Sequence, residues 1–183
     1  MSSKQYFVLA IDCGSTNLKA AVFDKNLKRI SEHIIPLKYT VNTAEKVEFD
    51  VTITYYSLVE LIRKACNDAD IKTDEVNAIS ITSQANTFSF VDRNCRPLIP
   101  YISYLDGRAV EEAMTLSSLS ITKDLDSVIK SPWSTLSKLL WLKNHYPDIL
   151  RYPNSLITIT SYLCWRLIGI NAIDDNLAAM EGL

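Results

Sequence analysis

Phe7-Val8-Leu9-Ala10-Ile11, then Asp12-Cys13-Gly14-Ser15-Thr16-Asn17, then Leu18-Lys19-Ala20-Ala21-Val22-Phe23 is the stretch that decides the fold. Its first five residues are a continuous apolar run, the pattern of a strand covered on both faces. The middle six are a turn cluster, and Leu18–Phe23 returns as a second strand. Arg29–Leu37 reads as a third, with looser alternation.

Working outward, Val51–Ala69 switches to helical spacing, with Leu58, Ile62, Ala65, Cys66 and Ala69 on one face and Asp50 or Thr52 able to cap its start. Ala78–Ile81 reads as a buried strand, and Phe88–Asp92 as another after the polar corner Ser83-Gln84-Ala85-Asn86-Thr87. Ala109–Leu116 and Leu136–Tyr146 are helical, the second ended by Pro147. Leu156–Thr160 is a short strand; Ser161 then caps a helix through Leu167, with Gly169 just past its end. Three strands, a helix, then alternating strands and helices give an α/β domain with a mixed sheet and flanking helices. Hairpin first and crossover helix second is the order of the ribonuclease H-like (actin-like ATPase) fold.

Composition narrows the function classes. The chain has 183 residues, 48% of them hydrophobic and 22% charged, with a formal net charge of −2. A globule of this size buries roughly 70% of its unfolded surface and needs no staples. No basic run exceeds a residue or two, which argues against nucleic acid and anionic membranes as partners. Cys13, Cys66, Cys95 and Cys164 are scattered, and His33 and His145 are the only histidines, so a zinc site has little to be built from. The cysteines read as small buried hydrophobes of a protein from a reducing cytoplasm. The run Phe7–Ile11 is too short for a signal peptide or a membrane span.

Four segments could carry chemistry, and each has a plainer use. Asp12 ends a strand, where a carboxylate can hold a magnesium ion or its waters. Gly14 permits close backbone approach to an anion, Ser15 and Thr16 offer amides and hydroxyls, and Lys19 adds a point charge. The plainer use is an ordinary hairpin turn. In Ser83–Thr87 the amides of Gln84 and Asn86 can donate and accept toward a ligand at a strand end, or merely face water. In Pro97-Leu98-Ile99-Pro100-Tyr101-Ile102-Ser103-Tyr104-Leu105-Asp106-Gly107-Arg108, Asp106 and Arg108 project together. They form either a salt bridge or a charged wall beside a hydroxyl-rich ligand. Trp133, in Ser131-Pro132-Trp133-Ser134-Thr135-Leu136-Ser137-Lys138, is by residue type expected in the core, although an aromatic face also stacks on sugar C–H surfaces.

Together and in order, these segments resemble the FGGY carbohydrate kinases, from Tyr6 onward. Asp12-x-Gly14-Ser15-Thr16-x-x-Lys19 resembles the family's opening phosphate loop. Ile81-Thr82-Ser83-Gln84 resembles its first sugar-site corner, and Pro97–Arg108 its P-L-x-P-x-I-x-W-x-D-x-R signature, with Tyr104 for the tryptophan. Trp133–Lys138 is similar to the aromatic segment at its lysine-bearing helix, and Ser161–Gly169 with Asp174 to its L-x-x-x-L-T-G and T-D stretch. The resemblance implies transfer of the γ-phosphoryl group of ATP, with Mg2+, to a hydroxyl of a sugar or polyol. It places Asp12, Gly14, Ser15, Thr16 and Lys19 near phosphate and magnesium, Asp12 touching the metal indirectly. It places Gln84, Ala85, Asn86 and Trp133 at the substrate, with Asp106 and Arg108 close to it or bracing it. Ala85-Asn86 departs from the Arg-Glu typical of glycerol kinases and the Met-His typical of xylulokinases. Thr160 stands where many members have aspartate, and Asp175–Ala179 replaces a polar run ending in N-A-S.

Family members are far longer, with two similar lobes. Residues 1–183 correspond to the sugar-binding N-terminal one. The nucleotide-binding lobe and the general-base aspartate are expected beyond residue 183, so this chain alone is expected to show no turnover. Its interlobe face would leave apolar surface open to homodimerisation. Two other classes compete. A non-catalytic domain of the same fold would bind a sugar or a partner protein without chemistry. A ribonuclease H-like nuclease would need carboxylates converging on two metals and a basic surface.

Overall fold

A computed structural model describes residues 6–120, 130–151 and 154–181. In chain order the strands are β1 (Phe7–Cys13), β2 (Asn17–Phe23), β3 (Arg29–Pro36), β4 (Val41–Asn42), β5 (Val47–Phe49), β6 (Val76–Ser83), β7 (Phe88–Val91), β8 (Tyr101–Ile102) and β9 (Ser155–Thr158). The helices are α1 (Val51–Asp68), α2 (Val110–Ser118), α3 (Thr135–His145), α4 (Pro147–Arg151), α5 (Ile159–Ile168) and α6 (Asp175–Glu181). The chain divides into two compact units, Met1–Lys38 with Thr52–Gln84, and Tyr39–Val51 with Ala85–Leu183.

The first unit holds a four-stranded mixed sheet in the order β3-β2-β1-β6. β1, β2 and β3 form an antiparallel meander, and β6 returns parallel to β1 after α1. That is the hairpin-then-crossover order expected from the sequence. The apolar run of β1 is covered on one face rather than both. Phe7, Leu9, Ile11 and Cys13 are buried, while Val8 and Ala10 are half-buried. On the buried face Leu9, Ile11 and Cys13 stand opposite Val22, Ala20 and Leu18 of β2. α1 presents Leu58, Leu61, Ala65 and Cys66 as buried residues. Ser31 Oγ of β3 donates to the Ala65 carbonyl at 2.6 Å, which ties that helix to the sheet. β6, expected to be buried, is half exposed along its length, with Ile79 44% exposed. It forms an edge of this sheet, paired there with β1 alone.

The second unit is built on a five-stranded sheet, β4-β5-β8-β7-β9, paired antiparallel throughout. Its core joins Phe88 and Phe90 of β7, Ile102 of β8 and Leu142 of α3, with Leu139, Ile149 and Leu156 packed against them. Aromatic rings extend this packing. Phe49 and Tyr101 lie 5.6 Å apart, and Tyr101 and Tyr162 6.2 Å.

Helix ends account for several local details. Ser134 caps α3, its Oγ accepting from the Ser137 amide. Pro147 ends that helix as expected and also opens α4, at a first-turn position where its missing N–H is harmless. The cap of α5 is Thr158, one turn before the expected Ser161. Thr158 Oγ1 accepts from the Ser161 amide at 3.2 Å, leaving Ser161 Oγ to donate to the Ala172 carbonyl at 2.7 Å. Gly169 ends α5 with φ +75°, a left-handed conformation that favours glycine. Thr158→Ala is expected to lower stability by about 1 kcal/mol and Thr158→Ser by much less, measured by urea unfolding. Equal losses in the two variants would remove the cap as the cause. Asp174, just before α6, accepts from the Leu177 amide at 3.0 Å, which makes it a helix cap.

The four cysteines are free; Cys13, Cys66 and Cys95 are buried and Cys164 is half-buried. Among the described residues, no helix is long and apolar enough to cross a membrane.

Candidate functional site

The boundary between the units passes through the polar corner, between Gln84 and Ala85. The predicted site residues therefore fall into two groups.

In the first unit, Asp12 ends β1 directly opposite Lys19 of β2 in the hairpin register. Lys19 Nζ donates to Asp12 Oδ2 at 2.9 Å, with both side chains substantially exposed. That hydrogen bond, with the charge of Asp12, raises the Lys19 pKa above its usual value. The turn between them is tight. The Gly14 amide donates to the Asn17 carbonyl at 3.1 Å. A Cβ on Gly14 would come within 3.2 Å of that same oxygen and 3.7 Å of Asp12 Oδ1, so a side chain there would crowd both the turn and the carboxylate. Thr16 is exposed at the tip and Ser15 half-buried. Parallel pairing sets Asp12 against Thr82 and Cys13 against Ser83, so both strands end on the same side. Gln84 lies just past that end. It is 8% exposed, its amide donates to the Cys13 carbonyl at 3.2 Å, and its Nε2 reaches the Gly14 carbonyl at 3.4 Å. Gln84 thus belongs to the hairpin turn, and the sequence-predicted anion loop sits at the carboxyl end of a parallel strand pair, where α/β sheets place ligands.

The magnesium expected here can be tested against the donors present. Among the described residues no group of three or more His, Cys, Asp and Glu could hold a metal ion. A lone half-exposed carboxylate suits Mg2+, which keeps several waters and is often bound through one carboxylate and phosphate oxygens. These residues would fit Mg2+ brought in with phosphate, for which Asp12 would supply the carboxylate.

In the second unit, Asp106 and Arg108 form the salt bridge that was one of their two readings. Asp106 is fully buried. Its Oδ1 accepts from the Arg108 amide and Nε, at 3.1 and 2.7 Å. Its Oδ2 accepts from the Val47 amide at 2.7 Å and from Arg108 Nη2 at 2.6 Å. Arg108 Nη2 also reaches Glu48 Oε1 of β5 at 2.7 Å. The guanidinium lies 4.8 Å from the centre of the Trp141 ring. Burial alone would lower the Arg108 pKa, but hydrogen bonds and charge from Asp106 and Glu48 outweigh it and the pKa is raised. All four hydrogen bonds to the Asp106 carboxylate are internal, so this pair braces the loop. Glu48 is a member that sequence reading missed. It lies 60 residues away from Arg108 in a three-residue strand with no period to detect.

Around the corner the structure brings Ala85, Asn86 and Trp133 into one cluster. Asn86 has φ +51°, which asparagine tolerates better than most residues. Its Oδ1 accepts from the Thr135 amide and hydroxyl at 3.3 and 3.2 Å, at the first turn of α3. Thr87 Oγ1 donates to the Ala85 carbonyl and accepts from the Tyr104 amide. Lys138, fully buried, donates to the carbonyls of Asn86, Ser103 and Trp133. Trp133 is not core, as its residue type suggests, but 55% exposed. Its backbone is held by Lys138 and its indole Nε1 comes near Gly107, where a Cβ would lie 3.9 Å away. An open hollow of about 730 Å3 in the same unit is lined by Glu45, Arg108, Glu112, Trp141 and Tyr146 among others, and includes none of Ala85, Asn86 or Trp133.

A profile of the FGGY family of carbohydrate kinases, N-terminal domain, matches residues 7–183. Autoinducer-2 kinase of Escherichia coli K12 is 25% identical over 190 residues, covering 100% of this chain and 36% of its own length. The Klebsiella pneumoniae enzyme of that name is 26% identical, covering 97% and 34%. This chain therefore spans about a third of the length of those curated relatives. Among solved structures, gluconate kinase from Lactobacillus acidophilus superposes with a TM-score of 0.86 at 22% identity, over 97% of this chain and 36% of its own. Plasmodium falciparum glycerol kinase with ADP gives 0.75 at 17%, over 97% and 41%. These likenesses establish the shared ribonuclease H-like, actin-like architecture, and with the profile match over nearly the whole chain they show that it belongs to the FGGY family of carbohydrate kinases, whose N-terminal domain it carries.

Proposed function

We propose that this chain is the substrate-binding lobe of a kinase that transfers the γ-phosphoryl group of ATP to a hydroxyl of a sugar or polyol, and that it binds without turnover by itself. The observation that carries the reading is Trp133, a 55% exposed indole beside the Asn86 corner. A large apolar ring held at the surface by its backbone is suited to stack on the C–H face of a sugar. The Ala85-Asn86 corner and Tyr104 offer the polar and aromatic contacts around it. The loop of Asp12, Gly14, Ser15, Thr16 and Lys19 is assigned to phosphate, with the Lys19 ammonium as the cation that attracts a phosphate oxygen. Magnesium, when bound with the nucleotide, neutralises the charge that builds on the transferred phosphoryl group. Asp106 has both oxygens committed to Arg108 and Val47 and is not offered as the base that accepts the hydroxyl proton, which the family resemblance assigns to the second lobe. Free cysteines support a cytoplasmic location.

Thermal unfolding against D-xylulose, D-gluconate, glycerol and further pentuloses, hexuloses, polyols and aldonates tests the reading, with and without MgATP. One substrate class is expected to raise the Tm by roughly 5–10 °C at a hundredfold excess over its Kd. Trp133→Ala is expected to abolish that shift. A panel with no response, or a response that survives Trp133→Ala, defeats the assignment.

A further inference from the structure

Lys138 is 0% exposed in the middle of α3, one turn before the core residue Leu142. Lysine is almost never fully buried unless paired, and taking an ammonium out of water costs several kcal/mol. The ammonium has three donors and no acceptor. Here those donors meet main-chain carbonyls of Ser103 at 2.8 Å, Trp133 at 2.9 Å and Asn86 at 3.3 Å. These carbonyls come from three separate stretches of chain, 35, 5 and 52 residues from Lys138. Each stretch carries a side chain of the proposed substrate site. Asn86 follows Ala85, Tyr104 follows Ser103, and Trp133 is the exposed ring.

We infer that Lys138 is a positioning residue, a buried three-way clamp that sets the backbone of all three substrate-lining stretches at once. These three contacts are to main-chain carbonyls, so the clamp fixes where the chain runs at Asn86, Ser103 and Trp133. It also holds the left-handed turn at Asn86, whose φ of +51° asparagine adopts more readily than most residues. A hydrophobic residue of similar length could fill the space, but could not hold three carbonyls in one geometry. Asn86 Oδ1, bonded to the start of the same helix, is a second tie between the corner and α3.

The inference uses the carbohydrate reading above for one of its two readouts. Lys138→Met is compared with Leu142→Ala, a core truncation in the same helix that touches none of the three carbonyls. Amide hydrogen exchange is followed in residues 85–88, 103–105 and 131–135, and each protein is titrated with D-xylulose, D-gluconate and glycerol. In Lys138→Met those three stretches are expected to exchange at least about tenfold faster than in Leu142→Ala. Affinity for whichever of the three sugars binds the wild type should fall about 30-fold in Lys138→Met and stay within about twofold in Leu142→Ala. Equal losses in the two variants would reduce Lys138 to general stability, and unchanged exchange in Lys138→Met would remove the clamp. If none of the sugars binds the wild type, the carbohydrate reading falls and the exchange comparison alone decides the clamp. Lys138→Gln, which keeps part of the donor set, replaces Lys138→Met if that variant does not fold.

Discussion

Arg108→Met is expected to lower the free energy of unfolding by about 3–5 kcal/mol, a large fraction of what a domain of this size has. The substitution leaves two carboxylates behind. Asp106 is fully buried and Glu48 is 6% exposed, and both point at the guanidinium that has gone. Removing one partner from a buried ionic cluster is much worse than never having had the cluster, because the remaining charges stay desolvated. The Trp141 ring loses its cation as well. Urea unfolding at neutral pH gives the number. In a Glu48→Gln background the same change is expected to be milder, since Asp106 is then the one carboxylate left facing the vacated position, Glu48 otherwise keeping only Lys46 at 3.3 Å. A loss below about 1 kcal/mol, or strict additivity of the two substitutions, would mean that the three side chains do not act as a unit.

The second large effect is a loss of stability in alkali that depends on Cys13. Burial, with the neighbouring Asp12 charge adding to it, pushes this thiol up to about 12 from an ordinary 9.0. The folded-state pKa is raised, so the contribution is intact below the unfolded pKa near 9 and is lost as pH rises toward 12. In that window the unfolded chain sheds the proton that the folded chain keeps. Three pH units correspond to about 4 kcal/mol, with a slope of about 1.4 kcal/mol per unit. Cys13→Ala removes the group, so the difference in unfolding free energy between wild type and variant should be flat below pH 9 and decline above it. Parallel curves from pH 8 to 11 would show that this thiol does not titrate differently on folding. Cys66 and Cys95 are raised by burial too, in each case with the same sign.

The sequence made the first unit legible because its elements are long enough to show a period. β1, β2 and β3, then an eighteen-residue α1, follow from apolar runs punctuated by Asp12–Asn17 and by the switch to helical spacing. What the run Phe7–Ile11 could not reveal was the number of covered faces. Val8 and Ala10 are apolar yet half-buried, whereas Leu9 and Ile11, pointing to the other face, are buried. In the second unit β4, β5 and β8 have two or three residues each, too few for any alternation to register. The site shows the same division. Asp12 opposite Lys19 follows from hairpin register alone, and Asp106 beside Arg108 from their spacing. Glu48 and Lys138 do not, because their partners lie tens of residues away and a lysine at a helical position ordinarily reads as solvent-facing. Trp133 departs from its residue-type expectation for a physical reason. Burial statistics describe where indoles usually lie, and a ring held out by its own backbone goes against them.

The segment Tyr39–Val51 belongs to the second unit although it is made before half of the first. During synthesis the meander β1-β2-β3, α1 and β6 are all available once Gln84 has been added, so that sheet can close while the rest is still to come. β5 cannot close its own. Besides β4, its partner strand is β8, which begins at Tyr101, and the Asp106 carboxylate that accepts its Val47 amide lies 59 residues further on. The nascent chain therefore carries the short β4-β5 hairpin with one edge of β5 open for the whole interval in which its first sheet is finished, and the second becomes whole only when β9 arrives beside β7.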